Sequence, residues 1–225
     1  MMKILIIAAH PDDEILGCGG TVARLAPNNS INTLILGEGI TSRDIPQQEK
    51  DLELMTLRDH CKKANSLLGV KKVFFEHFPD NKFDSIPLLD IVKPIENLIK
   101  KIRPEKIFTH HHGDLNIDHR ITQQAVLTAT RPFGDNPVKK ILSFEVLSST
   151  EWNVQNTATM FTPNTWINIT DTLQTKLDAM QEYTGELCLY PHPRSIEGIK
   201  ILAAKRGLEV GFPYAEAFRL LRSIE

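Results

Sequence analysis

Ile4-Leu5-Ile6-Ile7-Ala8-Ala9-His10-Pro11-Asp12-Asp13-Glu14 is the stretch that decides how this chain folds. Six apolar residues follow one another without alternation, and three of them are β-branched. A run apolar at every position suits a strand buried on both faces, the situation of a parallel sheet. It breaks abruptly into an imidazole, a proline and three carboxylic acids. A polar cluster therefore stands at the carboxyl end of the first strand.

Working outward, residues 31–36 read as a second strand, 73–75 as a short third, 106–109 as a fourth and 141–147 as a fifth. The fifth alternates, which predicts a more exposed position. Helical patterns fall between them. Leu54, Leu57, Cys61, Ala64 and Leu68 step by three and four, and Gly69 supplies the stop. Ile91, Ile95, Leu98 and Ile102 repeat the pattern, with Pro94 kinking that helix or marking its start. Asp118 precedes another helix over 120–130. Strand-helix alternation implies right-handed crossovers and an α/β fold, a doubly wound, Rossmann-like, mostly parallel sheet with helices on both faces. After about residue 150 the alternation weakens. Residues 170–186 and 195–207 look helical, and 216–221 fit a helix or a last strand. One domain over 1–225 is expected, with a core to about 150 and a C-terminal elaboration over 151–225 that completes the site.

Composition narrows the function classes. Of 225 residues 41% are hydrophobic and 24% charged, enough for a core without staples. A formal net charge of −2 gives no reason to expect nucleic acid or an anionic membrane as partner. Cys18, Cys61 and Cys188 are scattered and odd in number, which predicts free thiols in a reducing cytoplasm. The apolar start is too short for a signal peptide, and no segment approaches the roughly 20 apolar residues of a membrane-spanning helix. The sequence leaves a homo-oligomer open.

A second cluster, His110-His111-His112-Gly113-Asp114-Leu115-Asn116-Ile117-Asp118-His119, follows the fourth strand. In open α/β sheets ligands bind beyond the carboxyl ends of strands, at the point where winding reverses, and the first and fourth strands are neighbours there. The two clusters are therefore expected to face each other. Catalytic zinc keeps three protein ligands and an open position. His10 and Asp13 can converge on one ion, with a histidine of the second cluster as third ligand. Asp12 is left free to take a proton from water, whose pKa zinc lowers from about 15.7 to about 7. The rival reading makes Asp12-Asp13 and Asp118 helix N-caps and the histidine run a solvated loop. Gly17-Cys18-Gly19-Gly20 is not a dinucleotide fingerprint. Its spacing is wrong, and the carboxylates before it repel a pyrophosphate, so close helix packing is the better account.

Ala9-His10-Pro11-Asp12-Asp13-Glu14 with Gly17 and Gly19-Gly20-Thr21 resembles the signature of the PIG-L/LmbE-like zinc N-deacetylases, and Asp114 to His119 resembles their second metal motif. Leu68-Gly69-Val70 and Phe78-Pro79-Asp80 follow the family's order. Lys176, Ala179 and Tyr183 look like its C-terminal helix, with Tyr183 a candidate substrate contact. The resemblance implies His10, Asp13 and His119 as ligands of one zinc ion per chain, with other divalent metals acceptable. It implies Asp12 as general base, Asp118 as the partner that orients a histidine, and Arg58 as a substrate-binding arginine. Asn116 stands where many members have histidine, which leaves it a hydrogen-bond donor to substrate.

Pro191-His192-Pro193-Arg194-Ser195 forms a third cluster. Its prolines restrict the backbone around His192, a candidate general acid or oxyanion stabiliser. Arg194 is a candidate for a phosphate or sugar hydroxyl. An ordinary turn with Ser195 as N-cap is the rival. Arg206 and Glu216 are candidates for an ion pair. The expected activity is removal of an N-acetyl group from an N-acetylglucosamine-type small molecule, free or linked to a glycoside, nucleotide or lipid. Alternatives are a two-metal phosphoesterase and a non-catalytic sugar-binding relative.

Overall fold

The computed structural model describes residues 1–42 and 46–225. The elements run β1 (Lys3–Ala8), α1 (Asp13–Leu25), β2 (Ser30–Gly37), α2 (Gln47–Leu67), β3 (Lys72–Phe78), α3 (Leu88–Ile102), β4 (Lys106–His110), α4 (Ile117–Ala129), β5 (Lys140–Phe144), β6 (Thr165–Asn168), α5 (Leu173–Gln181), α6 (Ile196–Leu208) and β7 (Ala215–Ser223). One seven-stranded sheet has the order β3-β2-β1-β4-β5-β7-β6. β1 to β5 are mutually parallel, and β7 runs antiparallel between β5 and β6. This is a doubly wound α/β sheet.

β1 is central because both of its faces are covered. Ile4, Ile6 and Ala8 enter a core shared with α1, α2, α5 and α6, while Leu5, Ile7 and Ala9 enter a second core under α3 and α4. Each large side chain so buried contributes about 1.5–3 kcal/mol. β2 pairs with one edge of β1 and β4 with the other. The reversal point thus lies between β1 and β4, and the loops after them meet.

Three elements differ from the sequence reading, and a fourth settles an alternative it left open. β5 is interior, buried at Ile141, Leu142, Ser143 and Phe144, because β7 closes its outer side. β3 is longer than expected and forms the edge. Residues 215–223 are a strand, fixed by pairing with both β5 and β6. β6 has no counterpart in the reading. Pro94 lies inside α3 without ending it, and Gly69 follows α2 at φ 81°.

The glycines of α1 are explained by close packing. A Cβ on Gly17 would sit 2.2 Å from the Phe144 ring, and one on Gly20 2.9 Å from Ile169. Between them Cys18 leaves helical geometry at φ −149°. The backbone groups freed by that kink are satisfied from the C-terminal third. Lys176 Nζ donates to Leu16 O at 2.8 Å, and the Glu216 carboxylate accepts from Gly20 N at 2.9 Å and Thr21 N at 2.7 Å. Lys176 and Glu216 pair at 2.6 Å. The expected Arg206–Glu216 pair is not formed; Arg206 bonds Glu145 and Glu209 instead. Cys18, Cys61 and Cys188 are free thiols. Among the described residues no helix is long and apolar enough to cross a membrane.

Candidate metal and catalytic centre

The loop after β1 is short and fully buried. Asp12 begins α1 with its main chain, its carbonyl accepting from Ile15 N at 3.0 Å and Leu16 N at 2.9 Å, while its side chain makes no capping bond. The carboxylate is therefore not spent on the helix. After β4, Asn116 rather than Asp118 caps α4, its Oδ1 accepting from Asp118 N at 2.8 Å. Asp12 thus holds the N-cap position of α1 through its main chain alone, and the N-cap reading of Asp118 is corrected.

The two loops bring His10, Asp13 and His119 together, with one potential ligand atom from each lying within 4.8 Å of the others. His10 Nδ1 is 3.4 Å and His119 Nε2 3.3 Å from Asp13 Oδ2. A tetrahedral site with metal–ligand bonds of about 2.0–2.1 Å sets its donor atoms about 3.3–3.4 Å apart. Asp13 Oδ1 and His119 Nε2 are buried without a hydrogen-bond partner, a costly arrangement unless something binds there. The donor set fits catalytic zinc, and also iron or cobalt.

Each imidazole is backed by a carboxylate on its far nitrogen. His10 Nε2 is 2.9 Å from Asp118 Oδ2 and 3.2 Å from Asp80 Oδ1, and His119 Nδ1 is 3.2 Å from Asp114 Oδ1. Such partners fix the tautomer and aim the ring at a metal. Asp114 is itself held by Ser149 and Thr150 hydroxyls, and Asp118 by Asn81 N at 2.7 Å and Phe83 N at 2.9 Å. His110 stacks on His119 with centroids 4.0 Å apart, and its Nε2 accepts from Ala9 N at 2.8 Å.

The electrostatics match a site built for positive charge. Burial lowers the pKa of His10, but hydrogen bonds to Asp118 and Asp13 and the charges of Asp13 and Asp80 raise it to about 10. His119 is likewise held down by burial and carried up to about 9 by Asp13 and Asp114. The carboxylates around both rings thus favour positive charge at this point, and metal binding releases protons from such ligands. Burial drives Asp12 well above the usual carboxylate range, against the pull of Arg194. Burial also drives His110 down to about 3.

Arg194 reaches this centre from the third cluster, its NH1 2.9 Å from Asp12 Oδ2 and its Nε 2.8 Å from Ser148 Oγ. His192 Nδ1 accepts from Arg194 N at 3.1 Å, and its ring lies 5.5 Å from that of Trp152. Ser195 caps α6, as the rival reading of this cluster had it, through Gly198 N at 3.0 Å. Asn116 Nδ2 donates to Asn81 Oδ1 at 3.0 Å. Two candidates do not join the centre. Tyr183 is 0% exposed and bonds Glu14, so it supports the site from beneath instead of meeting substrate. Arg58 donates to His77 Nδ1 at 2.7 Å and stacks on Phe75 at 5.5 Å, away from the metal group. Sequence reasoning placed Glu14, Asp80, Asp114 and His110 in its motifs and clusters but gave none of them a role in the centre. A metal-binding histidine's need for an acidic partner was the one signal available for Asp114.

A doubly wound sheet thus carries a His/Asp/His group and a spare carboxylate at its switch point, where α/β enzymes bind their ligands. Residues 5–130 match the model of the PIG-L family, GlcNAc-PI de-N-acetylase, and the chain belongs to that family and is an amide hydrolase of the deacetylase type. It is 27% identical over 171 residues to the uncharacterized deacetylase YaiS of Escherichia coli K12, covering 73% of this chain and 76% of that one. It is 26% identical to the diacetylchitobiose deacetylase of Thermococcus kodakarensis, over 99% of this chain and 84% of the other. In fold it is similar to the N,N'-diacetylchitobiose deacetylase of Pyrococcus horikoshii, with a TM-score of 0.80, 20% identity, and 98% and 84% of the two chains covered. GalB of Pseudomonas putida, a 4-carboxy-2-hydroxymuconate hydratase, shares the fold at a TM-score of 0.76 and 18% identity, over 100% and 99% of the chains.

Proposed function

We propose that this enzyme removes the N-acetyl group from an N-acetylglucosamine-type small molecule, with His10, Asp13 and His119 holding one zinc ion. The observation that carries the reading is Asp12, a buried carboxylate beside the ligand group that is used neither as a ligand nor as a helix cap. The relatives named for diacetylchitobiose, and one named for N-acetyl-α-D-glucosaminyl L-malate in Bacillus anthracis, support the substrate class. The unpaired thiols support a reducing, cytoplasmic setting.

A metal held by His10, Asp13 and His119 would supply polarisation of the amide carbonyl and acidification of water. Asp12 would take the proton from the attacking water, which its burial-raised proton affinity favours. Arg194, donating to Asp12 Oδ2, orients the carboxylate and opposes the rise in its proton affinity that burial causes. The amine must leave protonated, and Asp12 now carries a proton to give. His192 accepts at Nδ1, which leaves its proton on Nε2, the tautomer suited to steadying an oxyanion. Arg194 is the polar group assigned to substrate hydroxyls, Asn116 is engaged at both ends by the α4 cap and by Asn81, and Asp118 acts through His10.

Acetate release from a panel of N-acetyl sugars, N,N'-diacetylchitobiose included, tests the reading. Asp12→Asn is expected to retain zinc and to lose about 10²–10⁴-fold in kcat; turnover at the parent rate would end the assignment of the base. A second reading, two-metal phosphoester hydrolysis, has one observation in its favour, the further group His10, Asp80 and Asp118. Against it, Asp118 already accepts two backbone N–H groups and Asp80 Oδ2 accepts Ser42 Oγ at 2.5 Å. Two metals per chain with phosphatase activity would favour that alternative.

A further inference from the structure

Asp12 lies at φ 102° and ψ −31°, a backbone region that residues with a Cβ rarely enter. Such a conformation persists only where the surroundings over-determine it. The carbonyl is pinned by the first turn of α1, as described above. The N–H points the other way and donates to Glu14 Oε2 at 3.0 Å. Glu14 is 1% exposed, too deep to meet a substrate.

Its second oxygen collects donors from far along the chain. Oε1 accepts from the Tyr183 hydroxyl at 2.5 Å, from Asn65 Nδ2 at 2.8 Å and from Cys61 Sγ at 3.8 Å. Asn65 is fixed in turn by Thr33, whose hydroxyl donates to its Oδ1 at 2.8 Å. Helix α2, braced by β2 through Thr33, and the turn after α5 thus converge on one carboxylate, and every group they offer it is a neutral donor. Burying a carboxylate on neutral donors alone is costly. Packing would be met as well by an apolar side chain. What an apolar side chain cannot do is accept the N–H of a residue held at φ 102°.

We propose that Glu14 is a positioning residue for the reaction, holding the main chain of Asp12 in its unusual conformation so that the Asp12 carboxylate stands beside Asp13 and Arg194 instead of capping α1. Tyr183 and Asn65 hold Glu14 in that posture. The inference rests on the reading of Asp12 as the general base. Glutamine is the informative replacement. It keeps the shape of Glu14 but turns an amide N–H₂ toward donors, so one of the two ends must give way.

The experiment compares zinc-loaded parent, Glu14→Gln, Tyr183→Phe, Asp12→Asn and the Glu14→Gln/Asp12→Asn double variant on the most rapidly hydrolysed N-acetyl sugar. A misplacement of about 1 Å costs on the order of 10²-fold. Glu14→Gln is expected to lose about that much in kcat, with KM changed less than about threefold and zinc stoichiometry unchanged. Tyr183→Phe, which removes one of several donors, is expected to lose less, with the same split between kcat and KM, and it tests the idea even if Glu14→Gln does not fold. On the residual rate of Asp12→Asn, Glu14→Gln is expected to have no further effect, because both act through one group. A crystal structure of Glu14→Gln should show the Arg194–Asp12 hydrogen bond broken. Parent-like kcat in Glu14→Gln and Tyr183→Phe, an effect confined to KM, or additive losses in the double variant would overturn the proposal. An active Asp12→Asn would overturn instead the reading of the base on which it stands.

Discussion

Two buried carboxylates serve the same helix in opposite ways. Glu216, on β7, receives the Gly20 and Thr21 N–H groups at the kink of α1 and is matched by Lys176 at 2.6 Å. Glu14, in the first turn of α1, receives the Asp12 N–H and three neutral side-chain donors. One charge is balanced inside the fold. The other stands among Asp12 and Asp13, where Arg194 is, among the described residues, the non-histidine cation in contact. Where charge is compensated locally the carboxylate closes a kink in the scaffold; where it is not, the carboxylate holds the main chain beside the group that would take a metal.

The largest expected effect breaks the balanced centre. Both partners there are 3–5% exposed, and removing one partner of a buried pair costs about 3–5 kcal/mol because the other is left uncompensated. Lys176→Met should therefore lower the stability measured by urea unfolding by that amount. Adding Glu216→Gln should recover part of the loss, since no bare charge then remains. If Lys176→Met unfolds at the parent midpoint, the pair is not what closes the kink.

The next effect belongs to the unbalanced centre. A ligand that binds only the folded state stabilises it by about 4.1 kcal/mol at a thousandfold excess over its dissociation constant. Zinc at that excess should raise the unfolding free energy of the parent and of Glu216→Gln alike. His119→Ala, which deletes one of the three ligands, should abolish the gain. Equal zinc stabilisation of the parent and His119→Ala would place the ion elsewhere and undo the comparison.

These two centres were unequally legible in the sequence, for a physical reason. β1 announces itself because a strand covered on both faces is apolar at every position, and His10 and Asp13 follow it directly. The order of strands then brings His119 beside them. Glu14 carries no such local sign, since Asn65 and Tyr183 lie 51 and 169 residues away along the chain. Glu216 is no better marked, because its partners were not local: Lys176 is 40 residues distant and Gly20 196. β6 spans four half-buried residues, too short for a period to show. β7 became a strand by pairing on both sides, which no window of its own residues encodes.

Arg58 tests how far likeness of sequence can stand in for geometry, and its expected effect is the smallest. It was a candidate for substrate binding because of its place in the order of family motifs. In the fold it lies on α2, half-buried, with its guanidinium bonded to His77 and lying over Phe75 of the edge strand. Those contacts belong to the join between α2 and β3, and neither partner belongs to the group around His10, Asp13 and His119. A side chain replaced near the surface, away from such a group, usually shifts free energies by no more than about 0.5 kcal/mol. That corresponds to roughly a twofold change in a rate or equilibrium constant. Arg58→Ala should accordingly leave kcat/KM for acetate release within about twofold of the parent, with the urea midpoint barely moved. A tenfold or larger rise in KM at unchanged stability would mean that substrate reaches across to α2, and that the candidate centre extends beyond the two loops that hold the metal group.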